Sequence, residues 1–383
     1  MTELEERRSR VQAAVARVAE SFAGEQQERL RRTYLDKADF DALADAGYLL
    51  TGVPADRGGL WTNLPDSIRS YARLLGTIAE GDPSVALVSS MHPAVLAGWL
   101  AVGDETEALK EQREAFFDTA LAGKWWGTVT SEPGSGGDVM RTRTRAMPHA
   151  DGRYRLTGDK HFGSGSGVCS LMITTAVPDD GDGPDLFVIE GWDRPWDGTW
   201  GAEVTQEWDG HGMQATQSHA FKLHGCEAIR AAAPVLMERG LPAIGVTASV
   251  LFTAVVAAVL RTAVKAGHER LAPKAGAMRP YERVEWTKVA NAQWLIEQAL
   301  EGMIRAVETE PDPRLSVNRG KASVAELAET SMMGLSRVIG GASFARGMPF
   351  GQWAQDVKAL GFLRPPWGLA FDQLFVGEFP EAG

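Results

Sequence analysis

Cysteine is scarce in this chain: only Cys169 and Cys226 occur in 383 residues, far apart and in no CxxC pair. That excludes a disulfide framework and leads us to expect a reduced, cytoplasmic protein. Positive charge is also short. Thirty-nine Lys and Arg against 50 Asp and Glu leave a formal charge of -11, which repels phosphate backbones, so nucleic acid is not an expected partner. The one dense cationic stretch, Arg141–Arg145, alternates with threonine like one face of a strand. No secretory apolar region stands near the start, where Glu3, Glu5, Glu6, Arg7 and Arg8 are all charged. The seven histidines show no HExxH or other metal-ligand spacing, so no metal is expected. Long apolar runs are absent but for Leu241–Leu260, which is uncharged and long enough to span a bilayer. It carries Pro242, Gly245, Thr247, Ser249 and Thr253, and amphipathic segments that need an apolar partner follow it. A buried bundle helix is therefore expected, with no membrane.

What is present is a globular composition, 44% hydrophobic and 23% charged, long enough for two or three domains. From the start to about Gly123 the apolar spacing is helical, as in Val11, Val15, Val18 and Phe22. Asp39 is the expected cap of a helix running to Gly47, and a single helix is expected over Pro83–Val102. From Lys124 the period changes to two, predicting strands over Trp125–Ser131, Arg141–Met147, Arg153–Thr157, Leu171–Val177, Leu186–Glu190 and His219–Leu223. Asp151-Gly152 predicts a type I′ hairpin turn. After Ala233 the helical period returns. Val284, Val289, Ala292, Ile296, Ala299 and Met303 mark one face, and Val324, Leu327, Ser331, Leu335 and Val338 another. The expected fold class is α+β: an all-α domain over residues 1–123, a β-barrel or sandwich over 124–233, and a C-terminal four-helix bundle over 234–383. Alternating βαβ units are missing, which excludes a Rossmann sheet.

Two stretches carry the chemistry: Thr128-Val129-Thr130-Ser131-Glu132-Pro133-Gly134-Ser135-Gly136-Gly137-Asp138, and Tyr154 to Gly167 with Lys160-His161-Phe162-Gly163-Ser164 at its centre. Each is a strand running into glycines and hydroxyls. Glycines admit close backbone approach and hydroxyls donate to carbonyl and ring-nitrogen acceptors, which suits a flat heteroaromatic ligand. Taken alone, ordinary β-turns explain them equally well. A dinucleotide fingerprint at Gly163–Gly167 is excluded, because a strand-like segment follows where a helix N-terminus is required.

Together the two stretches resemble the TEPxxGSD and DGxYxLNGxKxxITNG segments of the acyl-CoA dehydrogenase family. Gly210 to Thr216 is similar to its GMRGT turn, Val338 to Phe344 to its QxxGGxGY segment, and Val53-Pro54 with Gly58-Gly59 to its vPeeyGG pattern. The resemblance covers nearly the whole chain. It implies flavin adenine dinucleotide (FAD) between the β domain and the bundle, in a homotetramer or homodimer acting on a small-molecule substrate of the acyl-CoA class. It also implies that Thr128, Thr130, Ser131, Phe162 and Ser164 meet the flavin ring, that Arg270 meets the pyrophosphate, and that Gly340 and Gly341 approach the adenosine half. Gly137, in the altered GSD, falls on the substrate side.

One departure bears on mechanism. Dehydrogenation of a thioester needs a carboxylate to take the α proton. Counting on from Gln355-Asp356-Val357 places Arg364 at the base position, and the other site used in the family falls near Pro242, with Glu238 the nearest carboxylate. The expectation is a flavin-dependent oxidoreductase acting on a CH–CH group without its usual glutamate. A flavin-dependent monooxygenase, with His92 beside the flavin, and a catalytically altered scaffold are the alternatives.

Overall fold

The computed structural model describes residues 2–103 and 105–382. Helix α1 (Glu3–Gly24) starts at a capping box in which Thr2 and Glu5 satisfy each other's backbone amides, and it buries Val11, Val15, Ala19 and Phe22. After the short α2 (Gln26–Arg29) comes α3 (Lys37–Asp45), capped by Asp36 and not by Asp39 as expected. Asp39 is instead buried against Arg29, which binds both of its carboxylate oxygens at 2.8 Å and reaches Asp82 at 3.2 Å. Helix α4 (Leu64–Gly81) is capped by Asn63 and buries Ile68, Tyr71, Leu75 and Ile78. The expected helix over Pro83–Val102 is two: α5 (Pro83–Ser89) and α6 (Met91–Leu100). Pro93 has no amide to bond the Ser89 carbonyl, and the Tyr48 hydroxyl takes that acceptor at 2.9 Å. Helix α7 (Glu107–Leu121) leads into the β region.

Seven strands follow: β1 (Trp126–Thr128), β2 (Arg145–Pro148), β3 (Tyr154–Gly163), β4 (Leu171–Pro178), β5 (Asp185–Glu190), β6 (Ala202–Gln206) and β7 (His219–Arg230). The pairings β4–β2–β3–β7–β5 return to β4, so the sheet closes on itself, with β1 and β6 attached to β4 and β7. Closure leaves no free edge on the ring of five strands, and only β1 and β6 pair on one side alone. Sequence periodicity missed β6 and overextended β2. Over Arg141–Arg145 the arginines are exposed and the threonines buried, as the alternation implies, and the Thr142 and Thr144 hydroxyls bond Glu132 while Thr142 also reaches the Thr175 carbonyl of β4. The hairpin after β2 is not type I′. Only Gly152 has positive φ (77°), and a Gly152-to-His149 bond closes a turn that needs one left-handed residue.

The C-terminal region centres on α8 (Leu241–Leu271), which is long and apolar enough to cross a membrane but has 78% of its most apolar window buried inside the protein. Around it pack α9 (Pro280–Thr309), α10 (Arg314–Ile339) and α4. Val284, expected on the buried face of α9, is 54% exposed; Val289, Ile296, Leu300 and Met303 form that face. A fourth long bundle helix does not form. Its place is taken by α11 (Phe350–Asp356), α12 (Ala359–Phe362) and α13 (Trp367–Glu378), with prolines at 349, 365 and 366 between or before them.

Asp356 ties this broken region to the barrel. Its Oδ1 accepts from the Met213 amide at 2.7 Å and the Gln352 amide at 2.8 Å, and Met213 itself is left-handed (φ 50°). Burial pushes the Asp356 carboxyl up to about 7, against the donors from Met213 and Gln352. A folded pKa above the unfolded value stabilises fully below about pH 4, and that contribution is lost as pH rises through 7. We expect the wild-type unfolding free energy to fall with pH between about pH 4 and 7, by at most about 1.4 kcal/mol per pH unit. Asp356→Asn should flatten it, as calorimetry across that range would show.

Candidate active site

The two hydroxyl-bearing segments lie side by side. Beyond β1, the Val129 amide donates to the Ile173 carbonyl at 2.9 Å, and the His161 amide donates to the Ser131 carbonyl at 2.8 Å, forming an isolated antiparallel bridge. Beneath them Lys160, fully buried on β3, donates from Nζ to Glu132 Oε1 at 2.6 Å and to the Thr175 carbonyl at 2.7 Å. Glu132 also receives the Arg143 amide at 2.6 Å and the Thr142 and Thr144 hydroxyls. Burial raises its pKa, but Lys160 and these donors outweigh that and hold it at about 2. The pair is therefore ionised at neutral pH, with every acceptor committed.

At the loop surface Phe162 is left-handed (φ 56°) and 58% exposed, an unusual state for a large apolar residue, with Trp208 edge-on at 6.2 Å. The Thr130 side chain makes no hydrogen bond among the described residues, while the Thr128 hydroxyl lies 3.9 Å from the Met91 sulfur. Ser164 is buried, and its hydroxyl shares a 2.7 Å bond with Ser218, which bonds Thr216 in turn. As positioned, Ser164 holds the turn together through this bond.

Arg364 comes to this place from the other side. Its Nη2 donates to Ser131 Oγ at 2.7 Å, while Nη1 is buried without a partner. Burial pushes the guanidinium down to about 10, with Asp138 and Glu132 opposing. Lys321, buried on α10, holds the segment by donating to the carbonyls of Leu360 (2.8 Å), Leu363 (2.9 Å) and Pro365 (2.9 Å). Gly137 is left-handed (φ 85°), and the space its Cβ would take is filled by the Pro366 ring at 2.5 Å. A side chain at Gly137 would strike Pro366, so the absence of a Cβ lets the two loops close together.

Other expected site residues lie elsewhere. His92 is fully buried in the helical core, donating from Nε2 to the Leu49 carbonyl at 3.0 Å and packing against Trp125. Burial pushes it down to about 4, so it is neutral, and it is shut off from solvent rather than presented to a ligand. Arg270 is exposed in the last turn of α8. Gly340 is the C-cap of α10 (φ 79°), followed by Gly341 in a short turn. Glu238 is exposed in the turn ahead of α8. Sequence reading missed the Glu132–Lys160 pair, Lys321 and Trp208. Lys160 at the Lys of the DGxYxLNGxK pattern was the available signal. Among the described residues no three His, Cys, Asp or Glu gather as a metal site.

An isoalloxazine needs an apolar face and donors along its polar edge. Exposed Phe162 and the uncommitted Thr130 beside Ser131 fit such a ring. The fold, mixed α+β and rich in helix with a β domain in the middle and helices after it, is that of a class of flavoproteins. Residues 127–226 match the family model described as acyl-CoA dehydrogenase, middle domain, so this part of the chain is similar to that family. It is 29% identical over 213 residues to a dibenzothiophene monooxygenase of Rhodococcus erythropolis, covering 55% of this chain and 48% of that one. It is 28% identical over 162 residues to a 3-methylmercaptopropionyl-CoA dehydrogenase of Ruegeria pomeroyi, covering 40% and 26%. The matched stretches thus span about half or less of these relatives' lengths. The fold superposes on TdsC of Paenibacillus sp. A11-2, solved with FMN and indole, with a TM-score of 0.78, 20% identity and 96% of each chain covered.

Glu132→Gln leaves Lys160 buried and unpaired, so a loss of about 3–5 kcal/mol is expected in chemical denaturation. A carboxylate held at about 2 gives stability that is present above about pH 4.5 and lost as pH falls towards 2. The variant should lack that acid-dependent fall. Lys321→Met frees three carbonyls, and limited proteolysis within 360–366 should accelerate several-fold over wild type.

Proposed function

We propose that this protein is a flavin-dependent monooxygenase in which reduced flavin and oxygen act on a small organic substrate. The supporting observation is Arg364: a buried guanidinium bonded to Ser131 stands where the resemblance puts the proton-accepting glutamate, and a guanidinium cannot take an α proton. Of the carboxylates that act on Arg364, Glu132 is locked to Lys160, Arg143, Thr142 and Thr144 and Asp138 accepts from the Met140 amide, while Glu238 is exposed elsewhere. Similarity to a dibenzothiophene monooxygenase supports the same reading. A reduced flavin supplies two electrons, so that one oxygen atom enters the substrate and the other leaves as water. The FMN held by TdsC supports FMN over the FAD implied by the sequence resemblance. Phe162, Thr130 and Ser131 would hold the ring, and Lys160 with Glu132 would keep their two segments in register.

The reading includes a cytoplasmic location, domain boundaries near residues 123 and 233, and a homo-oligomer. Tyr281, Val284, Trp294 and Leu295 are all about half exposed or more on α9, an apolar surface that a second copy would cover. Dehydrogenation of an acyl-CoA is the second reading, supported by similarity to the Ruegeria enzyme.

The experiment supplies reduced FMN from a separate reductase under labelled oxygen, with indole and dibenzothiophene as substrates. Label in the product is the expected result, together with no bleaching of oxidised flavin by acyl-CoAs under anaerobic conditions. Bleaching without label would replace this reading by the second.

A further inference from the structure

Four observations converge on Arg364. Its Nη1 is buried and bonds nothing, although Nη2 is anchored to Ser131 at 2.7 Å. No carboxylate among the described residues forms an ion pair with it; Glu132 is saturated by Lys160, Arg143, Thr142 and Thr144, and Asp138 spends Oδ1 on the Met140 amide. A second cation, Lys321, fixes the segment on both sides of it through the carbonyls of Leu360, Leu363 and Pro365. The Pro366 ring seats on Gly137, so the loop carrying Ser131 and the loop carrying Arg364 are locked face to face. A partly buried charge whose Nη1 is buried and which has no ion-pair partner among the described residues is costly, and an apolar side chain would serve packing better. Ser131 anchors one side of the guanidinium and Lys321 holds the chain around it, while Nη1 finds no partner among the described residues, which is the design of a receptor for an anion.

On the reading that this cleft is the flavin site, we propose that Arg364 is a specificity-determining residue that binds a carboxylate on the substrate. Nη1 and the second hydrogen of Nη2 form the planar fork that accepts two carboxylate oxygens, with Ser131 fixing the plane of the guanidinium. Lys321 is its positioning residue. The substrate class is therefore an aromatic or acyl carboxylic acid, not a wholly apolar heterocycle. The thioester carbonyl of an acyl-CoA and the flavin's own polar edge are the competing sources of an oxygen for the same fork.

Calorimetric titration of the full-length protein with two matched pairs tests this: indole-2-carboxylate against indole, and benzoate against benzamide. In each pair the acid is expected to bind at least about tenfold more tightly. Arg364→Gln should abolish that preference while FMN affinity stays within twofold, and Arg364→Lys should keep part of it, with melting temperatures confirming that both variants fold. Acids that bind no better than their neutral partners, or bind Arg364→Gln as well as wild type, would overturn the proposal. So would a variant that loses FMN affinity and keeps acid binding, because the fork would then serve the flavin. Binding is read without turnover, so a protein inert towards oxygen defeats the proposed activity and leaves this test intact.

Discussion

Lys160 reaches Glu132 across the barrel wall at 2.6 Å with both groups out of water, and the arrangement around them follows from that contact. An ion pair in a dry setting persists only if its remaining hydrogen-bonding capacity is filled. Thr142, Thr144 and the Arg143 amide fill it for Glu132, and the Thr175 carbonyl does so for Lys160. Satisfying Glu132 engages the Thr142 and Thr144 side chains and the Arg143 amide, and the antiparallel pairing of β2 with β3 begins at Arg145. It also brings Ser131 against His161, so that the loop bearing Thr130 and the turn bearing Phe162 become neighbours.

The bundle completes the cleft by a different device. Helix α12 is a single turn whose exposed carbonyls would be orphaned when the chain turns away at Leu363. Lys321 satisfies them from α10, and the helix that the prolines at 365 and 366 interrupt becomes a rigid arm instead of a loose one. Asp356 does the corresponding work at the start of the arm, holding the left-handed Met213 turn of the barrel. Barrel, arm and bundle are thus joined by three buried polar anchors at points where helix ends and turns leave backbone groups unmatched. Apolar packing, centred on α8, brings the layers together but does not set this register.

Much of the fold was legible in the sequence because periodicity reports burial. The change from 3.6 to 2 near Lys124, the apolar run of α8 and the alternation of Arg141–Arg145 all reappear as patterns of exposure. What failed were features set by competition between partners. Asp39 has the chemistry of a cap, but Arg29 claims it, and Asp36 caps in its place. The run Pro83–Val102 is helical throughout by composition, yet Pro93 removes one donor and Tyr48 makes the break affordable. In the site, the strand and turn around Thr128–Ser131 and Phe162–Ser164 could be found from glycines and hydroxyls. The commitment of Ser164 to Ser218, and of Gly137 to Pro366, could not, because each depends on a residue distant in sequence and ordinary in type. His92 shows the same limit: a histidine on an apolar helix looks available until Leu49 and Trp125 enclose it.

Arg364 differs from those cases, since counting along the chain located it and only its surroundings give it meaning. A glutamate at that place would be a base whose ionisation depends on the cleft's dryness. A guanidinium stays charged throughout the neutral range even when burial lowers it to about 10, so it presents a fixed positive field that no ordinary change of pH removes. Glu132 cannot offset that field without surrendering Lys160, and surrendering Lys160 would part the two loops. The site therefore keeps at its centre a positive charge that Asp138 and Glu132 favour without forming an ion pair with it. Whatever binds there meets a cation already oriented by Ser131 and held in place by Lys321, and chemistry that begins with proton removal by this position is closed to it.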